Sequence, residues 1–127
     1  MIFTFEAGFS AAHFYQQSAW SDEKNREIFG KCFTEYGHGH DYKLEISLDC
    51  EKSQADGIHE IIKKACNELD HQHLNFVIEQ FKTKIPTTEN IAEYLIANLN
   101  KALENKKAEV LKLRLFESPH VWVEFIA

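Results

Sequence analysis

The chain has 127 residues, 44% hydrophobic and 27% charged, the balance of an ordinary soluble globular protein and enough for one domain, residues 1–127, with a core that needs no disulfide staples. A formal net charge of −6 argues against non-specific nucleic-acid binding, which needs a positive field to displace counterions, while leaving room for an anionic small substrate. Three irregularly spaced cysteines, Cys32, Cys50 and Cys66, point to reduced thiols; no apolar run nears the ~20 residues of a membrane span, and Met1–Glu6 lacks the features of a signal peptide, so a cytoplasmic protein without membrane contact is expected.

Phe3, Phe5, Ala7 and Phe9 form an alternating row, which predicts a first strand over roughly Phe3 to Phe9, with His13 just past it. The connection from Phe14 to Lys31 is too long for a hairpin turn, and a short helix around Glu23 to Ile28 would give it order. Its Lys24 and Arg26, with Lys31, lie near Cys32 and could draw in an anion, although a solvated loop is the commoner role. From His40 to about Leu48 the chain alternates again, with Tyr42, Leu44, Ile46 and Leu48 apolar, and this second strand is expected to pair antiparallel with the first.

After the turn Lys52–Gly57, apolar residues recur at Ile58, Ile61, Ile62, Ala65 and Leu69 with helical spacing, leaving Cys66 on the flank of the stripe. The segment Leu69-Asp70-His71-Gln72-His73-Leu74-Asn75 is dense in polar groups and ends that helix. Thr87 or Thr88 is a suitable N-cap for a second helix carrying Ile91, Leu95, Ile96, Leu99 and Leu103. Val110 to Phe116 and Val121 to Phe125 alternate on either side of Ser118-Pro119, a closing hairpin. The order strand, strand, helix, helix, strand, strand predicts an α+β domain: an antiparallel four-stranded sheet with two helices on one face. Its two open edges favour an oligomer.

Chemistry concentrates at Cys32 and the pair His38-Gly39-His40. Side chains two apart on a strand leave one face about 6–7 Å apart, so two imidazoles can converge on one ion, although a solvated pair at a strand end is the commoner outcome. His13 is the candidate third nitrogen, and three imidazoles leave a fourth position open, as in a catalytic zinc site. Cys32 could be a base or nucleophile, another metal ligand or a buried thiol. Asp70-His71 reads as a cap with a surface histidine, or as an orienter with a proton shuttle. Glu117 continues the row Leu111, Leu113, Leu115, so it either turns to solvent, the commoner case, or offers two acceptor oxygens to a ligand with adjacent N–H donors. His73 reads as a residue that helps to pack the turn, and His59 and His120, without clustered partners, as structural or exposed.

Together these residues resemble the 6-pyruvoyl tetrahydropterin synthase and 6-carboxytetrahydropterin synthase family of the T-fold class. Phe9-Ser10-Ala11-Ala12-His13 is similar to its first zinc motif and Gly37-His38-Gly39-His40-Asp41-Tyr42 to its second. Leu69-Asp70-His71 with Leu74-Asn75 resembles its catalytic turn, Pro86-Thr87-Thr88-Glu89-Asn90 the start of its second helix, and Phe116-Glu117 its pterin-anchoring glutamate. The resemblance implies that His13, His38 and His40 bind zinc, that Cys32 is the base, that Asp70 and His71 transfer a proton, and that Glu117 holds the pterin. It further implies 7,8-dihydroneopterin triphosphate as substrate of a carbon–oxygen lyase, and trimers paired into a homohexamer whose sheets close into a barrel with shared active sites.

The Cys32-to-His38 spacing and the flanking segments look more like the pyruvoyl-forming branch. The alternatives are the 6-carboxytetrahydropterin synthases of queuosine and deazaguanine synthesis, or a non-catalytic zinc- or pterin-binding module. Two departures stand out: a shortened segment between Leu48 and Leu69, and Phe33-Thr34-Glu35-Tyr36 where the family has a small polar loop.

Overall fold

The computed structural model describes residues 1–127 and places a mostly antiparallel, mixed sheet under helices, with the six expected elements in their expected order and shorter ones between them. Strand β1 runs over Ile2–His13 and β2 over His38–Cys50, paired in continuous antiparallel register from Ile2 opposite Asp49 to His13 opposite His38. Both strands exceed the lengths read from the alternating rows, because cross-strand hydrogen bonding carries them through residues whose side chains show no clear pattern. Strand β4, Ala108–Ser118, pairs with β2, and β5, Val121–Ile126, closes the hairpin with β4.

A fifth strand, β3, is added to the expected four. Gln72–His73 pairs parallel with Ala11 and Ala12, giving the order β3-β1-β2-β4-β5. Two residues are too few to show a period in sequence.

Helix α1, Asp22–Phe29, supplies the expected short helix in the first connection; the Ser21 hydroxyl caps it by accepting from the Lys24 N–H at 3.2 Å. Helix α2 spans Ala55–Asn67, α3 is the single turn Leu74–Val77, and α4 spans Thr88–Leu103 with the Thr87 hydroxyl as its cap. Asn25 of α1 is fully buried, and its amide accepts from the Gln17 N–H and donates to the carbonyls of Gln17, Trp20 and Ser21. One side chain thus shapes the loop that leads from β1 to Cys32. Lys24 lies over the Trp20 ring and Arg26 over that of Phe33, so both cations pack against the loop's own aromatics.

The odd-numbered face of β1 (Phe5, Phe9, Ala11), the even-numbered face of β2 (Tyr42, Leu44, Ile46, Leu48) and Leu113 and Leu115 of β4 form the core floor. Ile58 and Ile62 of α2 and Ile91, Leu95 and Leu99 of α4 cover it. Cys66, read from sequence as flanking the α2 stripe, is in the core at 1% exposure, and burial pushes its thiol up to about 12. The stripe is centred nearer Ile58, Ile62 and Cys66 than the run of isoleucines suggested, because α2 also packs against α4. No helix is long and apolar enough to cross a membrane.

Candidate functional site

The helix-covered face runs out of apolar residues at one end of the sheet, and there polar groups continue the same rows. On β1 the row Phe9, Ala11 ends in His13; on β2 the row Leu44, Tyr42 ends in His40 and His38; on β4 the row Leu113, Leu115 ends in Glu117. Because His13 lies directly opposite His38, the antiparallel register itself assembles the histidines. A nitrogen from each of His13, His38 and His40 lies within 4.8 Å of the others, and the Nε2 atoms of His13 and His38 are 3.1 Å apart.

His13 is 1% exposed, and burial, then the neighbouring His38 and His40, hold its imidazole down at about 3. His38 is lowered as well, by burial and then by His40. Neutral imidazoles are the form that coordinates a metal, so the electrostatics of the cluster favour one. The other nitrogen of His13, Nδ1, lies 3.0 Å from the Tyr42 hydroxyl, and the Pro86 carbonyl also approaches this ring. Nδ1 of His38 is buried with no hydrogen-bond partner, leaving a nitrogen of that ring uncommitted. Three converging nitrogens, the lowered imidazoles of His13 and His38 and an uncommitted nitrogen fit a metal of zinc's preferences.

The approach of β1 to the loop before β2 requires a glycine at 37. Gly37 has φ +80°, and a Cβ there would sit 2.5 Å from the His13 carbonyl oxygen and 2.9 Å from His73 Nε2. His73, on β3, also shares a hydrogen bond with the Tyr36 carbonyl at 3.2 Å. Asn75 clasps the residue after His13 through both backbone groups, accepting from the Phe14 N–H at 2.9 Å and donating to the Phe14 carbonyl at 3.0 Å. The segment after α2 therefore holds the chain beside His13 and the chain beside His38 at once. That role was invisible in sequence, where His73 read as a turn-packing residue.

Cys32 ends a 3-10 turn, Gly30–Cys32, and is partly exposed; its carbonyl accepts from the Tyr15 N–H at 2.7 Å, tying it two residues beyond His13. Tyr15 packs its ring 5.1 Å from that of His13. Burial, followed by the negative charge of Glu117, pushes its phenol up to about 12. Tyr15 thus lies between His13, which its ring meets, and Cys32, which its backbone meets, and it keeps its proton as a donor. Sequence reading passed over Tyr15; its position two residues after His13 is the signal that could have marked it.

Glu117 does not follow the solvent-facing alternative. It falls where the β4–β5 register shifts between Phe116 and Ser118, a bulge that re-aims a side chain, and its Oε2 accepts from the Thr88 hydroxyl at 2.6 Å. Thr88 is 5% exposed in the first turn of α4, where the helix dipole favours a carboxylate.

Asp70 and His71 lie at the β3 edge of the sheet, just before Gln72–His73. One Asp70 oxygen accepts from the Ser10 N–H at 2.8 Å, and the other meets His71 Nδ1 at 2.8 Å. The Ser10 N–H, then His71, hold the Asp70 carboxyl below its usual range, so it stays ionised and orients the imidazole. His71 has φ 59° and its side chain is 83% exposed, on an open cleft shared with Ser10, Gly39, His40 and Asp41. No hydrogen bond joins it to Cys32 within the protomer. His59 lies on the Glu6 carbonyl and the Phe5 ring, away from the cluster.

A family model described as 6-pyruvoyl tetrahydropterin synthase matches residues 2–127. The 6-pyruvoyl tetrahydrobiopterin synthase of Homo sapiens is 38% identical over 103 residues, covering 75% of this chain and 71% of the human one. That of Drosophila melanogaster is 35% identical over 123 residues, covering 87% and 70%. Among solved structures, Caenorhabditis elegans 6-pyruvoyl tetrahydropterin synthase superimposes with a TM-score of 0.86 at 29% identity, over 100% of this chain and 96% of that one.

Proposed function

The chain belongs to the 6-pyruvoyl tetrahydropterin synthase family, and on that premise we propose that it is a zinc-dependent carbon–oxygen lyase that converts 7,8-dihydroneopterin triphosphate to 6-pyruvoyl tetrahydropterin with loss of triphosphate. The observation that supports this most directly is the convergence of His13, His38 and His40 at the end of the sheet where the β4 row also ends in Glu117, with the Cys32 turn tied to Tyr15 two residues beyond His13. The pyruvoyl branch is further supported by the names of the human and fly relatives.

In this reading His13, His38 and His40 hold zinc, which when bound would take up the side-chain hydroxyls of the substrate and lower the cost of negative charge on oxygen. Glu117 accepts from the adjacent N–H donors of the pterin and fixes the ring so that its side chain reaches Cys32; the Thr88 hydroxyl steadies the carboxylate from behind. Cys32, as thiolate, removes a proton from the substrate side chain. The imidazole of His71, oriented by Asp70, returns one, and the electrons of the breaking carbon–oxygen bond leave with triphosphate. Since His71 is exposed at the β3 edge, it would serve a site on a neighbouring subunit. Trimers paired into hexamers, with sheets closed into a barrel, supply such a neighbour, and the exposed Val121, Trp122, Phe125 and Ile126 of β5 are apolar surface suited to being covered there.

The test is incubation of the zinc-loaded protein with 7,8-dihydroneopterin triphosphate, following triphosphate release and identifying the pterin by mass. A pyruvoyl product is expected. A carboxy product would move the protein to the other branch, and no release by a zinc-loaded oligomer would sink the lyase reading.

Gly37→Ala probes how closely the loop must approach His13. The new methyl meets backbone at 2.5 Å in a conformation L side chains rarely adopt, so the loop moves and His38 moves with it. The expected result is a loss of about 1–3 kcal/mol of stability in thermal denaturation, together with weaker zinc binding.

A further inference from the structure

We propose that Tyr42 is a positioning residue for the metal centre: its phenol oxygen accepts the Nδ1 proton of His13 and so locks the tautomer that leaves Nε2 free to coordinate. The inference deepens the zinc reading above and rests on it.

Strand register shows how Tyr42, two positions beyond His40 and four beyond the His13–His38 pair, reaches His13. Tyr42 lies opposite Phe9, His40 opposite Ala11 and His38 opposite His13, all with side chains on the helix-covered face. The Tyr42 and Phe9 rings stack at 4.8 Å with 15° between their planes, which fixes the direction of the phenol. Its path to His13 runs past Ala11, a buried residue with only a methyl group, and the hydroxyl arrives 3.0 Å from His13 Nδ1. At 2% exposure, Tyr42 is shut off from water.

The two nitrogens of His13 consequently face different partners. Nε2 faces His38 at 3.1 Å, on the cluster side, while Nδ1 faces the tyrosine. A neutral imidazole carries one proton, and a ring protonated on Nε2 cannot coordinate through it. An acceptor beside Nδ1 selects the competent tautomer and stops the ring from rotating, the service an outer partner usually renders a metal-bound histidine. Here a phenol takes the place of the more usual carboxylate or carbonyl. Tyr42 touches no substrate in this role; it acts only through His13.

The test compares the wild type with Tyr42→Phe, which keeps the ring stacked on Phe9 and deletes only the oxygen. Zinc affinity is measured by competition with a chromophoric chelator, stoichiometry by mass spectrometry, and folding by melting temperature. In parallel, nitrogen-15 spectra of histidine-labelled protein report which ring nitrogen of His13 carries the proton. The expected result is a folded variant that still takes one zinc per chain but binds it about 10–100-fold more weakly. Its Nδ1 proton, protected in the wild type, should exchange rapidly.

Unchanged zinc affinity in a folded Tyr42→Phe overturns the proposal while leaving the lyase reading standing. Should the variant melt early, the wild type alone decides: a zinc-loaded His13 with its proton on Nε2 overturns the proposal. If the wild type takes up no stoichiometric zinc, the zinc reading and this inference fall together.

Discussion

Cys32→Ala is expected to lower the rate of triphosphate release by about 10²–10⁴-fold, the usual contribution of a positioned general base. Alanine removes the sulfur without disturbing what holds the turn, since the backbone carbonyl of residue 32 still accepts from the Tyr15 N–H and Asn25 still ties the loop behind it. Zinc content, oligomeric state and melting temperature should therefore match the wild type, and KM should change little because Glu117 still grips the ring. The measurement is single-turnover release of triphosphate alongside zinc analysis. A variant that keeps its zinc and retains most of the wild-type rate would remove Cys32 from the role of base and direct attention to Tyr15, whose ring packs against that of His13.

His38→Ala is expected to abolish stoichiometric zinc binding, with a loss of affinity exceeding the ~10–100-fold typical of losing an outer partner, and to remove activity with it. His38 suits this test better than His13 because of burial. His13 is 1% exposed, so its truncation would leave a cavity and an unpartnered Tyr42 hydroxyl, whereas His38 is only partly buried at the end of β2. The fold should survive, as judged by circular dichroism and an unchanged chain-length elution profile, so that zinc loss is read without unfolding. Full zinc occupancy in His38→Ala would mean that His13 and His40 bind with some other ligand, and the three-histidine assignment would fail.

Sequence carried much of this protein in the open. The alternating rows of β1, β2, β4 and β5 and the 3.6-residue stripes of α2 and α4 are local periodicities imposed by one buried face, so they are visible without a partner. The Thr87 cap was legible for a similar reason, as its bond is made within four residues. The histidines could be listed as candidates from their parity, but their convergence needed the register that sets His13 against His38. Parity likewise aimed Glu117 inward and left its environment open. Only the bulge before Ser118 and the approach of α4 supplied Thr88 as its partner.

What sequence alone determined is therefore which residues share a face and in what order the elements come, because those depend on side-chain spacing along one segment. Tertiary structure decided the contacts between segments far apart in the chain: β3 as a fifth strand, His73 and Asn75 bracing the chain beside two histidines, Cys66 at the centre of the core, and Asp70–His71 placed on an open edge. A two-residue strand has no period to read, and an asparagine that bonds a backbone sixty-one residues away leaves no local trace. The Tyr42 hydroxyl shows the difference most simply. Its ring belongs to an apolar row that alternation reveals, while its oxygen acts on a histidine that only the pairing of β1 with β2 brings within reach.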